Sequence, residues 1–323
     1  MNSKIQFILK TFVSIVLIIY LLSRTDYTAI YKSLISATPF YLLLALSTLF
    51  LGKLLTSFRW QLLLVAQNIK IPLKSLIASL YVGQFFNSFL PTTIGGDAIR
   101  AYDTAEASKE PAKSVTTVFM DRFIGVLALV LLAILALILA FLMGDDVLYY
   151  LIPVLSVFLL CLIGLVIVLN DLLFELIAKG LRRINLNRIA DQLEKIYRSI
   201  QDMKVDPITL LYAFAISLLL QINVVIFYYF ISLGLGLEVP ILYYFIIVPV
   251  TLTILIVPFS INGIGLREGV FVFLLAGIGV SPSDAIALSL LSFFLVLTQA
   301  VIGGIVFAFR GVKISEFTTE QPG

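Results

Sequence analysis

The chain has 323 residues, 61% of them hydrophobic and 13% charged, with a mean hydropathy of +1.10. Soluble domains carry roughly a quarter charged residues, so this composition excludes a water-soluble globular protein and predicts an all-α, polytopic integral membrane protein. The net charge of +3 points to no nucleic-acid partner. With no histidine and one cysteine, Cys161 in an apolar run, the residues exclude His-based nucleophilic triads, offer no disulfide framework, and call for no metal or other cofactor.

A membrane span needs roughly 20 apolar residues. The first run, Ile5 to Leu22, follows Lys4 and lacks a small-x-small cleavage pattern, so it reads as a retained helix. Phe40 to about Leu64 comes next, interrupted by Lys53 and Arg59, and then the short run Leu76 to Leu90. Val115–Met143, Val147–Leu169 and Ile208–Leu233 read as spans. Ile241–Phe259 is apolar but broken by Pro249 and Pro258, and Ala285–Phe309 is the last run.

Basic residues mark cytoplasmic loops. Lys4 and Lys10, then Arg59, Lys70 and Lys74, then the connector 171–207 with its seven Lys and Arg residues, then Arg310 and Lys313 all fall on that side. Asp145, Asp146 and Glu238 mark turns on the opposite side. These assignments leave two segments, Leu76–Leu90 and Ile241–Gly279, that must enter and leave by the same face. The expectation is about six full spans and two re-entrant helical hairpins, with both termini cytoplasmic. Broken helices at membrane depth are tolerated only where protein or a cavity surrounds them.

The two breaks share a pattern. Pro91-Thr-Thr-Ile94-Gly95-Gly96-Asp97-Ala-Ile-Arg100 and Pro258-Phe-Ser-Ile261-Asn262-Gly263-Ile-Gly265-Leu-Arg267 both read P-x-x-I-x-G-x-x-x-R. With the span order this predicts one transmembrane domain over 1–323, built as an inverted repeat of about 1–143 and 147–310. Such repeats bring their broken elements together near the midplane, where transporters build substrate sites. Pro91 and Pro258 stop the hydrogen-bond ladder, and Gly95, Gly96, Gly263 and Gly265 allow tight turns. The restarting helices point free N–H groups at the break, and such ends bind anions. Arg100 and Arg267 sit one turn further in, where a phosphate would satisfy guanidinium and helix end together. For either hairpin alone, a Pro-Gly kink with a snorkelling Arg is the simpler reading; the matched pair favours an anion site.

Lys53 lies roughly 20 Å along its helix, a depth at which a charge is paired or functional. Arg59, beside Trp60, reads as a headgroup anchor. Asp121 and Arg122 are adjacent and point to different sides of a helix; Asp121 has Arg100 and Lys53 as candidate partners. Asp97 and Glu268 are candidate helix caps or counter-charges. Gln84, Asn87, Gln221, Asn223, Asn262 and Gln299 read as interhelical hydrogen-bonding groups, Asn262 also as a candidate contact at the second break. In the connector 171–207, Leu193, Ile196, Ile200 and Met203 share one face of a helix over Asp191–Lys204, which is either interfacial or a packed, solvated linker.

Pro91–Arg100, Val118-Phe-Met-Asp-Arg122 and Ser260-Ile-Asn-Gly-Ile-Gly-Leu-Arg-Glu-Gly269 together resemble the flippase-like transmembrane region of lysylphosphatidylglycerol synthases, over nearly the whole chain. The resemblance implies a prokaryotic cell-membrane protein that translocates an anionic phospholipid, an aminoacylated phospholipid or a lipid-linked glycan. Arg100, Arg267 and the helix ends would hold the phosphate, and Lys53, Asp121 and Arg122 would line the route. The family's soluble lysyl-transfer domain has no counterpart before Gly323, which argues against an enzyme. The alternatives are a membrane enzyme of lipid modification, with Asp97, Asp121 and Glu268 as its acid–base groups, and a non-catalytic subunit of a separate lipid synthase. A homo-oligomer or a partner lipid-modifying enzyme fits the same frame.

Overall fold

A computed structural model describes residues 26–89, 94–142, 144, 148–183, 187–201, 206–256 and 263–310. The expected first span Ile5–Leu22, Lys4 and Lys10, the breaks Pro91, Pro258 and Asn262, the acidic turn Asp145–Asp146, Met203 and Lys204, and Lys313 all lie outside them. The described residues are helical, with no strand among them.

Helix α1 (Tyr27–Ile35) begins where the Asp26 carboxylate accepts from the amides of Thr28 (2.8 Å) and Ala29 (3.4 Å). Helix α2 (Pro39–Ala66) opens on a proline, whose missing N–H would have had no helical partner. Then follow α3 (Leu73–Phe89), α4 (Ile94–Ser108) and α5 (Pro111–Leu142). The second half runs α6 (Leu148–Leu169), α7 (Asp171–Arg183), α8 (Asn187–Gln201), α9 (Pro207–Gly234), α10 (Ile241–Ile256), α11 (Leu266–Ala276) and α12 (Pro282–Arg310).

Four of these helices, α2, α5, α9 and α12, are long and apolar enough to cross a membrane. At 28 residues α2 and α9 each extend about 42 Å, beyond the roughly 30 Å hydrocarbon core. At 17 and 16 residues α3 and α10 reach only about 25 Å. The long helices keep apolar stripes on their outer faces, as in Phe50, Leu54 and Phe58 of α2 and Leu131, Leu135 and Ile138 of α5. Such a surface is a liability in water but is the ordinary outside of a bundle in lipid.

Packing ties the sequence halves together. The broadest contact is α2 against α9. There Asn223 Nδ2 donates to the Thr48 carbonyl (2.9 Å), as expected of an interhelical amide. Helix α12 lies along α3, and α5 lies along α10, so the last long helix of each half rests on the short helix of the other. The α12–α3 approach is very close: a Cβ built on Gly303 would stand 1.9 Å from the Tyr81 carbonyl oxygen. The main core gathers Phe227, Ile231, Tyr244, Phe271 and Leu288, and a second cluster packs Leu64, Leu76, Leu80 and Val118 around Trp60.

The connector holds two helices: α8 covers most of the helix expected over Asp191–Lys204, and α7 precedes it. Asn170 interrupts the chain after α6, and its side chain accepts from the Leu173 amide (3.1 Å), capping α7. Helices α7 and α8 then pair, with Phe174 stacked on Tyr197 and Arg182 bonded to Asp191 and Glu194.

Candidate functional site

A cavity of about 440 Å³ lies among α2, α3, α4, α5, α9 and α10. Its charged lining comes from three places. Lys53 and Arg59 come from α2, at the same spacing as Thr56, so that residues i, i+3 and i+6 form one helical stripe. Asp97 and Arg100 come from the first turns of α4, and Asp121 and Arg122 from α5. Leu129, Val224, Leu252 and Ile256 supply apolar wall.

The centre of the site is a buried ion triad. Asp121, 1% exposed, takes Arg59 Nε on one carboxylate oxygen (2.7 Å) and Arg100 Nη2 on the other (2.8 Å). Arg59 also donates to Ser217 Oγ of α9 (2.7 Å) and passes over Gly125, where a Cβ would come within 3.2 Å of it. Arg59 is therefore not the headgroup anchor expected from its place near the end of α2. It is 6% exposed and holds three helices together. Asp121 finds Arg100, one of its two candidate partners, and not Lys53.

Asp97 serves as a counter-charge. It accepts from Arg122 Nε (2.8 Å) and more weakly from Arg100 (3.3 Å). Lys53 donates to the neutral carbonyl oxygen of Gln84 (2.9 Å). The cavity thus presents four basic side chains, Lys53, Arg59, Arg100 and Arg122, against two carboxylates, Asp97 and Asp121. Arg122, its side chain 55% exposed, and Lys53 are the two basic residues outside the triad.

The contact between α3 and α4 closes through glycine. A Cβ on Gly96 would fall 2.5 Å from the Gly83 carbonyl oxygen and 2.5 Å from Asn87 Nδ2, so only glycine permits the approach. The Gly96 amide donates to Asn87 Oδ1 (2.7 Å), which satisfies one of the free N–H groups at the start of α4. Gly95 lies in the same turn but off the cavity wall.

The second break is arranged differently. Gly265 sits at φ +82° and its amide donates to Glu268 Oε2 (2.6 Å). The other carboxylate oxygen of Glu268 takes Arg267 Nη2 (2.8 Å) and Ser289 Oγ (2.8 Å), and Arg267 stacks 5.3 Å over Phe293. Glu268 is both cap and counter-charge, the two roles its sequence position left open. Arg267, Gly263 and Gly265 do not line the cavity that holds Arg100. The expected meeting of both arginines around one guest is not seen in this cavity; Arg267 is instead paired with Glu268 and Ser289.

Three cavity residues carried little signal in the sequence. Gln84 and Asn87 read as generic interhelical amides, and Gln221 donates to the Gly125 carbonyl (3.3 Å) from across the site. The spacing Lys53–Thr56–Arg59 was the available clue that Arg59 shares the face of Lys53.

Comparison with known families gives a match over most of the chain. A family model described as "Lysylphosphatidylglycerol synthase TM region" covers residues 7–304. Neither the curated proteins nor the solved structures contain a match.

Proposed function

The chain belongs to the family of lysylphosphatidylglycerol synthase transmembrane regions, and from that premise we propose that it translocates an anionic phospholipid or lipid-linked glycan headgroup across a prokaryotic cell membrane. The observation that carries the reading is the charge balance of the central cavity. Three guanidiniums and the Lys53 amine face two carboxylates, and Lys53, near the middle of α2, has a neutral partner. A cation excess at such depth calls for an anionic guest. In this reading Arg59, Arg100 and Asp121 form a fixed frame, while Lys53 and Arg122 meet the phosphate.

The fold supports a two-hairpin, inverted-repeat reading. The short helices α3 and α10 are each followed by a helix with the shared Gly-x-x-x-Arg pattern at its start, Gly96 to Arg100 and Gly263 to Arg267. The crossed packing of α12 on α3 and α5 on α10 is what two such halves related by a pseudo-twofold would produce. We propose six full spans with cytoplasmic termini, the first being Ile5–Leu22. The enzyme alternative has less support, since Asp97, Asp121 and Glu268 are each committed to an ion pair.

The test is lipid movement in proteoliposomes containing fluorescent phosphatidylglycerol, read by dithionite bleaching of the outer leaflet. Replacing Lys53 and Arg122 by glutamine should slow translocation about tenfold for each charge-assisted hydrogen bond lost. Wild-type rates in the Lys53→Gln, Arg122→Gln double variant would reject the cavity as the headgroup site.

A further inference from the structure

Helix α7 has more apolar surface than its packing uses. Its inner edge carries Phe174 and Ala178, at i and i+4. Phe174 stacks 3.8 Å over Tyr197 of α8, and Ala178 is buried. The apolar arc continues past that edge. Leu172, Leu176 and Ile177, at i, i+4 and i+5, carry it around the helix and are 67%, 57% and 39% exposed.

The charged residues of α7 border this arc. Arg182 reaches back to Asp191 and Glu194 of α8. Lys179 and Arg183 follow Leu172 and Leu176 by seven residues each, so they stand on the same line of the helix as the exposed leucines. Lys179 is bonded to Glu175 at 2.9 Å, but both side chains are exposed, and an ion pair of that kind is weak enough to give way to another anion. Together α7 and α8 carry six basic residues against four acidic ones.

The place of α7 in the chain says what covers the arc. Only Asn170 separates it from α6, a 22-residue apolar helix. Helix α6 presents an outward stripe, Leu155, Leu159, Leu162 and Val166, at i, i+4, i+7 and i+11. Such a stripe faces acyl chains in a membrane protein, and the uncovered arc of α7 begins where it ends, at the depth of the lipid headgroups.

We infer that α7 lies in the membrane–water interface of an anionic bilayer. Leu172, Leu176 and Ile177 enter the acyl boundary, while Lys179 and Arg183 lay their stems along it and reach headgroup phosphates. The sequence raised an interfacial role for the helix over Asp191–Lys204; the uncovered face is on the helix before it. The inference concerns how the connector is seated and stands apart from the translocator reading.

The chain has one cysteine, Cys161, so Cys161→Ala gives a background for a single labelled site. Leu176→Cys and, on the polar side, Glu175→Cys are each labelled with nitrobenzoxadiazole. The full-length protein is reconstituted in phosphatidylcholine vesicles with and without phosphatidylglycerol, with iodide on both faces of the membrane. In the mixed vesicles the Leu176→Cys label should emit to the blue and be quenched by lipid bearing a shallow doxyl group, and the Glu175→Cys label should be quenched by iodide. Adding Lys179→Gln and Arg183→Gln should raise iodide quenching of the Leu176→Cys label, each lost charge weakening the docking about fivefold. Equal iodide quenching of the two labels describes a solvated connector and overturns the inference. Shielding of the Leu176→Cys label from both quenchers means that protein, such as a second copy of the chain, covers the face, and overturns it too. Docking that needs neither phosphatidylglycerol nor the two basic residues overturns the anionic character of the surface.

Discussion

Asp121→Asn should cost about 3–5 kcal/mol of stability, among the largest losses any single polar substitution here will show. The carboxylate sits between two guanidiniums, Arg59 at 2.7 Å and Arg100 at 2.8 Å, and all three residues are at most 6% exposed. Asparagine keeps the volume but removes the charge, and it turns an acceptor oxygen into an N–H₂ facing a cation. Arg59 would then lack a counter-ion in surroundings of low dielectric constant, and Arg100 would keep only its longer contact to Asp97 (3.3 Å). Removing one partner of a buried pair is far costlier than never having built it. Thermal unfolding in detergent, followed by helical circular dichroism, measures the loss. The Arg59→Met, Asp121→Asn double variant should lose less than the sum of its two single variants, because Arg59 no longer needs the carboxylate. Strict additivity would mean that the triad does not act as a unit. Arg100→Ala would report on this frame as much as on any guest, which is why Lys53 and Arg122 are the better probes of transport.

Gly303→Ala is the second substitution with a large expected effect. The added methyl would stand 1.9 Å from the Tyr81 carbonyl oxygen and 2.6 Å from its carbon, contacts that no side-chain rotation relieves. Close helix approach in membranes depends on small residues at such points, and overpacking costs about 1–3 kcal/mol or more where backbone has to move. Here the moving part is α3, which carries Gly83 against Gly96, Gln84 against Lys53 and Asn87 against the start of α4. Gly303→Ala should therefore lower both the unfolding temperature and the translocation rate, although it touches no cavity residue. Gly269→Ala is the control. A Cβ there meets nothing within 4 Å, and alanine in a helix interior is better than glycine by roughly 0.5–1 kcal/mol. Equal behaviour of the two variants would show that the α12–α3 contact is not as tight as its backbone geometry implies.

Much of this was legible in the residues, and what was not has a physical reason. Hydropathy located all four long helices, because a helix in lipid must be apolar over its length whatever it packs against. The repeated Pro-x-x-Ile-x-Gly-x-x-x-Arg pattern marked where the short helices α3 and α10 give way to α4 and α11. Electrostatic pairing was harder to read. Arg59 looked peripheral from its distance along α2, but its partners Asp121 and Ser217 lie 62 and 158 positions away. The pattern also suggested that Arg100 and Arg267 were equivalent. Their difference comes from single positions outside it: Glu268 follows Arg267, where Ala101 follows Arg100, and the carboxylate that answers Arg100 is on α5 instead. Similar motifs therefore carry unlike sites.

The crossed packing of α12 on α3 and of α5 on α10 has a consequence for how the molecule can be built. Neither half owns a finished interior; each completes the other's, like clasped hands. Severed between α6 and α9, the two fragments would still need each other to fold, and made together in one cell they would reassemble rather than drift apart. A protein interlocked in this way tolerates a cut in its chain better than the loss of either portion.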